Sequence, residues 1–285
     1  PINRAYSSII DNKLYLPFLL KDFSEFLPQY YYFIDKGRLV KIDKNVSNYR
    51  GIIELCKLKF KLVLKHCYSS FGHGFYLLEW KENNLFLNNV TCLEADIVAF
   101  IDSLDNYIVT EYVCQNHYAC EINGSSANTI RLLCIWDEYL GEFYIPRAFH
   151  RFGMSGRLVD NLGSEGGGIL AFIDIHTGKI KDIGVLKEPG KAEKVIKITN
   201  HPGSKTQIAG IIIPFWFETI RKVTSIMNQL SFLKYVGMDI VITETGFKII
   251  ELNSLPTLSI IQIEEGLLKN DRLKKFFTYV KYRNL

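Results

Sequence analysis

The chain has 285 residues, a net charge of +4, 48% hydrophobic residues and 22% charged residues. That length gives one large domain or two to three subdomains, with ample material for a core. The composition is that of an ordinary soluble globular protein, and the small positive charge is too weak to argue for nucleic acid, although it suits anionic small ligands.

Residues 1 to about 50 mix helix and loop signals, with Pro17 and Pro28 as punctuation and a short strand at 30–34 turning at Lys36-Gly37. A strand over 61–67 leads into a loop bearing Gly72 and Gly74, followed by strands over 75–80 and 85–90. Leu93, Ile97, Phe100, Ile101 and Leu104 recur at helical spacing and predict a helix over 93–104, before a strand over 107–113. These elements make a compact α+β unit over about 52–113. Beyond it come strands at 129–136 and 142–149, a glycine-dense segment at 153–168, and strands at 169–174 and 180–187. Pro214 opens a helix whose apolar stripe is Ile220, Val223, Ile226, Met227, Leu230 and Leu233. A hairpin over 235–258 and a last helix with a basic, aromatic end complete the chain, without internal repeats.

The six cysteines (56, 67, 92, 114, 120 and 134) show no CxxC pair and no metal-ligand spacing. They read as reduced, mostly buried thiols of a cytoplasmic protein. The longest apolar run, 208–217, is broken by Pro214 and too short to span a bilayer. No secretory signal is visible, and the start at Pro1 without methionine implies a processed or longer native N-terminus.

Chemistry concentrates in the hairpin YVGMDIVITETGFKIIELNSLPTL, where Asp239, Glu251 and Asn253 stand among apolar residues. A two-residue Thr245-Gly246 loop would send Asp239 to the face opposite Glu251. A three-residue loop, Glu244-Thr245-Gly246, would put Asp239 directly across from Glu251. The second is preferred, because two carboxylates about 4 Å apart repel by about 4 kcal/mol at an effective dielectric near 20, a cost that a divalent cation removes. Two carboxylates and an amide oxygen suit Mg²⁺. The plainer alternative is that Glu251 and Asn253 only end a strand before a proline turn.

Lys65 ends a strand just before Gly72 and Gly74, where glycines let backbone N–H groups approach phosphate oxygens. Equally, Lys57, Lys59, Lys61 and Lys65 share one parity and could line a solvent face. The strand end Glu111-Tyr112-Val113 lies at the presumed subdomain boundary, where backbone groups could read a base. Arg131 sits inside the apolar strand IRLLCIW and needs an anion, either a protein carboxylate or a ligand phosphate. Arg147 and Arg151 raise the same question. The 153–168 segment, with Asp160, Asn161 and Gly166-Gly167-Gly168, reads as a binding segment or lid.

Taken together, the order of lysine strand, glycine loop, strand-and-helix lid, EYV and GMDIVITETGFKIIELN resembles an ATP-grasp ligase. The runs NTIRLLCI, HRFGMSGRLVDNLGSEGGGILAFIDIHTGKI and HPGSKTQ are similar to the sugar-transfer-associated ATP-grasp group. The resemblance implies an α+β chain: two α+β subdomains gripping ATP, with 1–51 as a short N-terminal segment, 52–113 as the lid and 114–285 as the core. It implies Mg²⁺ on Asp239, Glu251 and Asn253, with Glu251 bridging two ions. It places nucleotide phosphates at Lys65, Gly72 and Gly74 with Lys13 as the earlier nucleotide lysine, and adenine at Glu111, Tyr112 and Val113. Arg131 falls at the γ-phosphate, while Arg151 with Asp160, Asn161, Gly166, Gly167 and Gly168 falls where the acceptor would lie. The superfamily's usual N-terminal subdomain is short or absent.

The implied reaction turns a carboxylate into an acyl phosphate, which an amine then displaces; by analogy the substrates are a sugar acid or amino acid for surface polysaccharide. Partners would be a small-molecule carboxylate and amine, with no nucleic acid and no membrane span. A phosphotransferase acting on a hydroxyl and a non-catalytic nucleotide-binding protein are the competing readings.

Overall fold

A computed structural model describes residues 2–42, 51–69, 72–160, 162, 167–256 and 258–283. The chain divides into two compact units, one of Asn12–Cys114 and one made of the residues up to Asp11 with those from Gln115 onward. Residues 2–11 therefore contact the C-terminal part of the chain, and residues 12–42 the other unit.

The 12–114 unit is built on a seven-stranded antiparallel sheet. Its strands are β1 (Tyr30–Asp35), β2 (Arg38–Lys41), β3 (Lys61–His66), β4 (Phe75–Lys81), β5 (Asn84–Leu87), β6 (Val90–Cys92) and β7 (Tyr107–Glu111), in the order β2-β1-β7-β3-β4-β5-β6. The helices Ile52–Lys59 and Glu94–Asp102 bury Leu55, Cys56, Ile97 and Ile101 against Leu62, Leu64, Leu78 and Val109. The strand expected over 85–90 is two strands. Asn88 and Asn89 both take positive φ (51° and 67°), the geometry of a type I′ turn, which asparagine tolerates better than most residues.

The second unit is also a seven-stranded antiparallel sheet: β8 (Ile130–Asp137), β9 (Glu142–Gly153), β10 (Gly168–Ile173), β11 (Ile180–Lys187), β12 (Lys194–Lys197), β13 (Tyr235–Thr243) and β14 (Gly246–Asn253), ordered β12-β11-β10-β9-β8-β13-β14. The helix Trp216–Gln229 buries Trp216, Thr219, Val223, Ile226 and Met227, and Phe215 ahead of it takes a left-handed conformation. The Asp271–Arg283 helix adds Leu273 and Phe276 to a core with Leu133, Phe149, Leu170, Phe172 and Tyr235. Asn3 ties the N-terminal residues to this sheet, accepting from Lys234 N (2.9 Å) and donating to Tyr235 O (2.6 Å). No helix among the described residues is long and apolar enough to cross a membrane. Of the cysteines, Cys56, Cys67 and Cys134 are buried while Cys114 and Cys120 are exposed, so fewer thiols are buried than the sequence suggested.

Candidate active site

Three neighbouring strands carry the chemistry-bearing row. Asp239 on β13 lies opposite Arg131 on β8 and opposite Glu251 on β14. Directly opposed residues share a sheet face, so the three stand side by side, with Gly237 and Asn253 one step along on that face.

The hairpin reaches this register by a route other than the expected three-residue loop. Thr243 pairs with Gly246, which leaves a two-residue loop of Glu244-Thr245. A register shift between Asp239 and Ile240 then puts the extra residue Ile250 into β14 and brings Glu251 opposite Asp239. The burial of β14 changes parity at the same place: Phe247 and Ile249 are buried, then Leu252. Two adjacent isoleucines make the shift cheap, since either can face the apolar side.

Asp239 is almost wholly buried. Arg131 donates to it from Nε to Oδ1 and from Nη2 to Oδ2 (2.9 Å), and Arg151 donates from Nη2 to Oδ2 (2.5 Å). Burial works against the Asp239 charge, yet the Arg131 and Arg151 guanidinium groups hold its carboxyl well below the ordinary carboxylate range. Burial likewise opposes the Arg151 charge, and Asp239, Asp160 and Glu251 more than offset it, so that its pKa is raised. The anion that Arg131 needed is thus a protein carboxylate in this structure. Gly237 makes room for it, since a Cβ there would lie 3.0 Å from Arg131 Nη1 and 2.9 Å from Pro256 Cβ.

Arg151 is held from a second side. Its Nε and Nη2 donate to Thr129 Oγ1 at 2.8 and 2.5 Å. The Thr129 N–H and O–H both donate to Asp160 Oδ2 at 2.6 Å, and Asp160 Oδ2 lies 3.8 Å from Arg151 Nε. At the other end of the row, Asn253 Nδ2 donates to Glu251 Oε1 at 3.4 Å. Among the described residues no three His, Cys, Asp or Glu side chains form a metal-binding group. The set here is two carboxylates and an amide on one face, hard oxygen donors that fit magnesium in kind. Asp239 would have to share its oxygens with the two arginines.

The remaining residues of the glycine-dense segment divide. Asn161 and Gly166 lie outside the described residues. Gly168 opens β10 between Gly153 and Lys187, and Gly167 has φ +66° with a would-be Cβ 2.6 Å from Lys187 O. Close backbone packing therefore accounts for Gly167. Arg147 pairs with Glu265 at 2.7 Å.

In the 12–114 unit Lys65 lies opposite Phe75 and Ile108, on the sheet face away from the two helices. The shared-parity face of lysines does not exist, because Lys57 and Lys59 belong to a helix. Lys57 pairs with Glu94 at 2.5 Å and Lys61 with Glu79 at 2.8 Å. Gly72 and Gly74 have φ +76° and +66°, and Lys13 Nζ donates to Ser69 O at 2.6 Å in the same loop. Lys13 and the glycine loop are therefore neighbours. Glu111 N–H donates to Gln29 O (2.9 Å) and its carboxylate accepts from Gln29 N (2.9 Å), so that backbone donor is engaged. Val113 is buried, and Tyr112 lies under Lys61, 5.1 Å from its ring centroid.

Sequence reasoning passed over a buried polar framework that leads up to Thr129 in the chain. Asn128 Nδ2 donates to Gln115 Oε1, Ala119 O and Asn123 O within 3.0 Å, and Gln115 Nε2 donates to Asn123 O and Ser126 O. His150 is fully buried, with Nε2 2.8 Å from the Tyr118 hydroxyl, and burial pushes its pKa down to about 3. His201 Nδ1 accepts from Gly203 N and Ser204 N, which leaves Nε2–H for Gly153 O at 2.9 Å. Thr129 was findable, since it shares strand parity with Arg131.

Residues 2–276 match the family model described as sugar-transfer associated ATP-grasp. The chain belongs to this family. No curated protein matches the sequence. Among solved structures, D-alanine–D-alanine ligase from Bacillus anthracis is 13% identical, with 96% of this chain and 68% of that one covered and a TM-score of 0.47; it is also known in complex with ATP. D-alanyl-alanine synthetase A from Vibrio cholerae O1 biovar eltor is 13% identical, covering 98% and 66% with a TM-score of 0.49. N5-carboxyaminoimidazole ribonucleotide synthetase from Thermotoga maritima is 13% identical, covering 88% and 44% with a TM-score of 0.42. This ATP-grasp chain thus spans about two thirds of the first ligases and under half of the synthetase.

Proposed function

We propose that the chain is an ATP- and Mg²⁺-dependent ligase that activates a carboxylate as an acyl phosphate and joins it to an amine. The observation that carries this reading is the row Arg131–Asp239–Glu251, set in register on three adjacent strands with Asn253 beside it, in a chain of the ATP-grasp family. In this reading Asp239, Glu251 and Asn253 hold magnesium, which would screen phosphate charge when bound. Lys13, Lys65, Gly72 and Gly74 bind the nucleotide phosphates, and the Glu111–Val113 stretch binds the base.

A carboxylate is a poor electrophile. Its oxygen attacks the γ-phosphorus and ADP leaves; the amine nitrogen then attacks the acyl carbon, inorganic phosphate departs with the C–O bond electrons, and the nitrogen gives up a proton to leave the amide. Each step concentrates negative charge, which Arg131 and Arg151 neutralise from fixed positions. A nucleophilic side chain is unnecessary, because the substrate oxygen is the nucleophile. Both arginines are already oriented by Asp239, which avoids reorganisation during the reaction. The family's association with sugar transfer supports a sugar acid or amino acid as substrate, with a role in surface polysaccharide.

The test is ADP release by the purified protein against a panel of uronic acids and amino acids, each with and without an amine. Amine-dependent ADP and free phosphate are expected. A stable phosphorylated product would make the chain a phosphotransferase, and no Mg·ATP binding at millimolar concentration would remove the enzyme reading.

A further inference from the structure

We propose that Thr129 and Asp160 are positioning residues that fix Arg151, so that Asp160 acts on the reaction through the arginine rather than by touching the acceptor. The inference rests on the ligase reading only for what Arg151 touches. The positioning itself stands on the geometry.

A free arginine side chain has rotamer entropy to lose when it is fixed. Here one edge of the guanidinium is fully committed. Nε–H goes to Thr129 Oγ1, one Nη2–H to the same oxygen, and the other to Asp239 Oδ2. In the ligase reading the two Nη1 protons are the ones that meet a ligand. The threonine hydroxyl can accept two guanidinium protons only if its own proton points elsewhere, and Asp160 Oδ2 takes it at 2.6 Å while also taking the Thr129 N–H. Thr129 and Asp160 are both buried, so water does not compete for these bonds. Asp160 thereby sets the hydroxyl rotor, and the rotor sets the arginine. An acceptor-binding carboxylate would keep its oxygens open to a ligand, whereas this one spends Oδ2 on two protein donors. Asp160 Oδ2 also counters the Arg151 charge at 3.8 Å.

The test uses the full chain as Thr129→Ser, Thr129→Val and Asp160→Asn. Proton exchange at Arg151 Nε–H, read by ¹⁵N NMR and assigned by its loss in Arg151→Lys, reports the clamp without reference to any reaction. Thr129→Val should speed that exchange at least tenfold. Thr129→Ser, which keeps the hydroxyl, should stay within twofold of the parent, and Asp160→Asn should fall between. In turnover, Thr129→Val should lower kcat about tenfold with nucleotide KM within twofold, and serine should restore it. Exchange unchanged in Thr129→Val overturns the proposal. So does a serine variant no better than valine, because restoring the hydroxyl would then restore nothing. If Thr129→Val does not fold, Thr129→Ala against Thr129→Ser decides on the same readouts. If the parent shows no ligase turnover, the proposed function fails by itself, and the exchange rates alone decide the clamp.

Discussion

Replacing Asp239 by asparagine should cost more stability than any other single change in the row. The carboxylate is 1% exposed and answers two guanidinium groups whose side chains are only 11% and 15% exposed. Asparagine keeps the shape but leaves two buried cations with one fewer anion, and removing one partner of a buried pair costs about 3–5 kcal/mol. Asp160 and Glu251 remain nearby, which argues against a larger loss. For a unit of 150–250 residues each kcal/mol lowers Tm by about 2–4 °C, so the fall should be on the order of 10 °C. Tryptophan fluorescence can follow it, since Trp136 and Trp216 lie in the affected unit and Trp80 in the other. The sign with pH is fixed as well. The folded carboxyl is held below its ordinary value, so its contribution is full above about pH 4 and is lost as pH falls through the folded value. The gap between parent and variant should therefore close in acid. A loss under about 1 kcal/mol at pH 7 would refute the argument that Asp239 is the counter-ion of both arginines.

Three further outcomes are expected. Glu251→Gln should lower turnover at least about 100-fold, the scale for losing a transition-state charge contact, with Tm within about 2 °C; parent-like activity would remove Glu251 from the site. His150, held down to about 3 by burial, must charge on unfolding below its ordinary value near 6.5. It therefore supplies stability above about pH 6.5 that is lost as pH falls, at about 1.4 kcal/mol per pH unit, and unfolding free energies from denaturant titrations at pH 7 and 5 should differ by about 2 kcal/mol less in His150→Gln. Gly74→Ala combines φ +66° with a Cβ 2.9 Å from both His66 Cβ and the Tyr107 hydroxyl. It should destabilise the 12–114 unit by about 1–3 kcal/mol and weaken nucleotide binding, and unchanged melting would show that the loop relaxes freely.

The sheets were largely legible because their strands alternate or run apolar between turn residues, and the Pro214 helix because its stripe repeats at helical spacing. What escaped reading has physical causes. β12, Lys194–Lys197, has lysines at both ends and an exposed Val195, so no apolar pattern marks it; pairing with β11 alone makes it a strand. The run at 85–90 read as one strand because alternation cannot show that two asparagines will turn. In the hairpin, Ile249 and Ile250 are equally apolar, so hydrophobicity could not tell a three-residue loop from a two-residue loop with a bulge.

The two hairpin routes nevertheless converge on the same pairing, and that convergence says which constraint dominates. Without the bulge, the two-residue loop would have paired Asp239 with Ile250 and turned the Glu251 side chain to the opposite face, toward buried Met238 and Ile240. A buried, unpaired carboxylate costs several kcal/mol, whereas a bulge loses one ladder position. Placing Glu251 beside Asp239 looks repulsive only if the pair is considered alone. Arg131 and Arg151 bring two positive charges to the row, so the second carboxylate settles beside a group already neutralised. The arginines on β8 and β9, 108 and 88 residues from Asp239 in sequence, are thus part of what sets the register of the β13–β14 hairpin. No local reading of the hairpin could have supplied them.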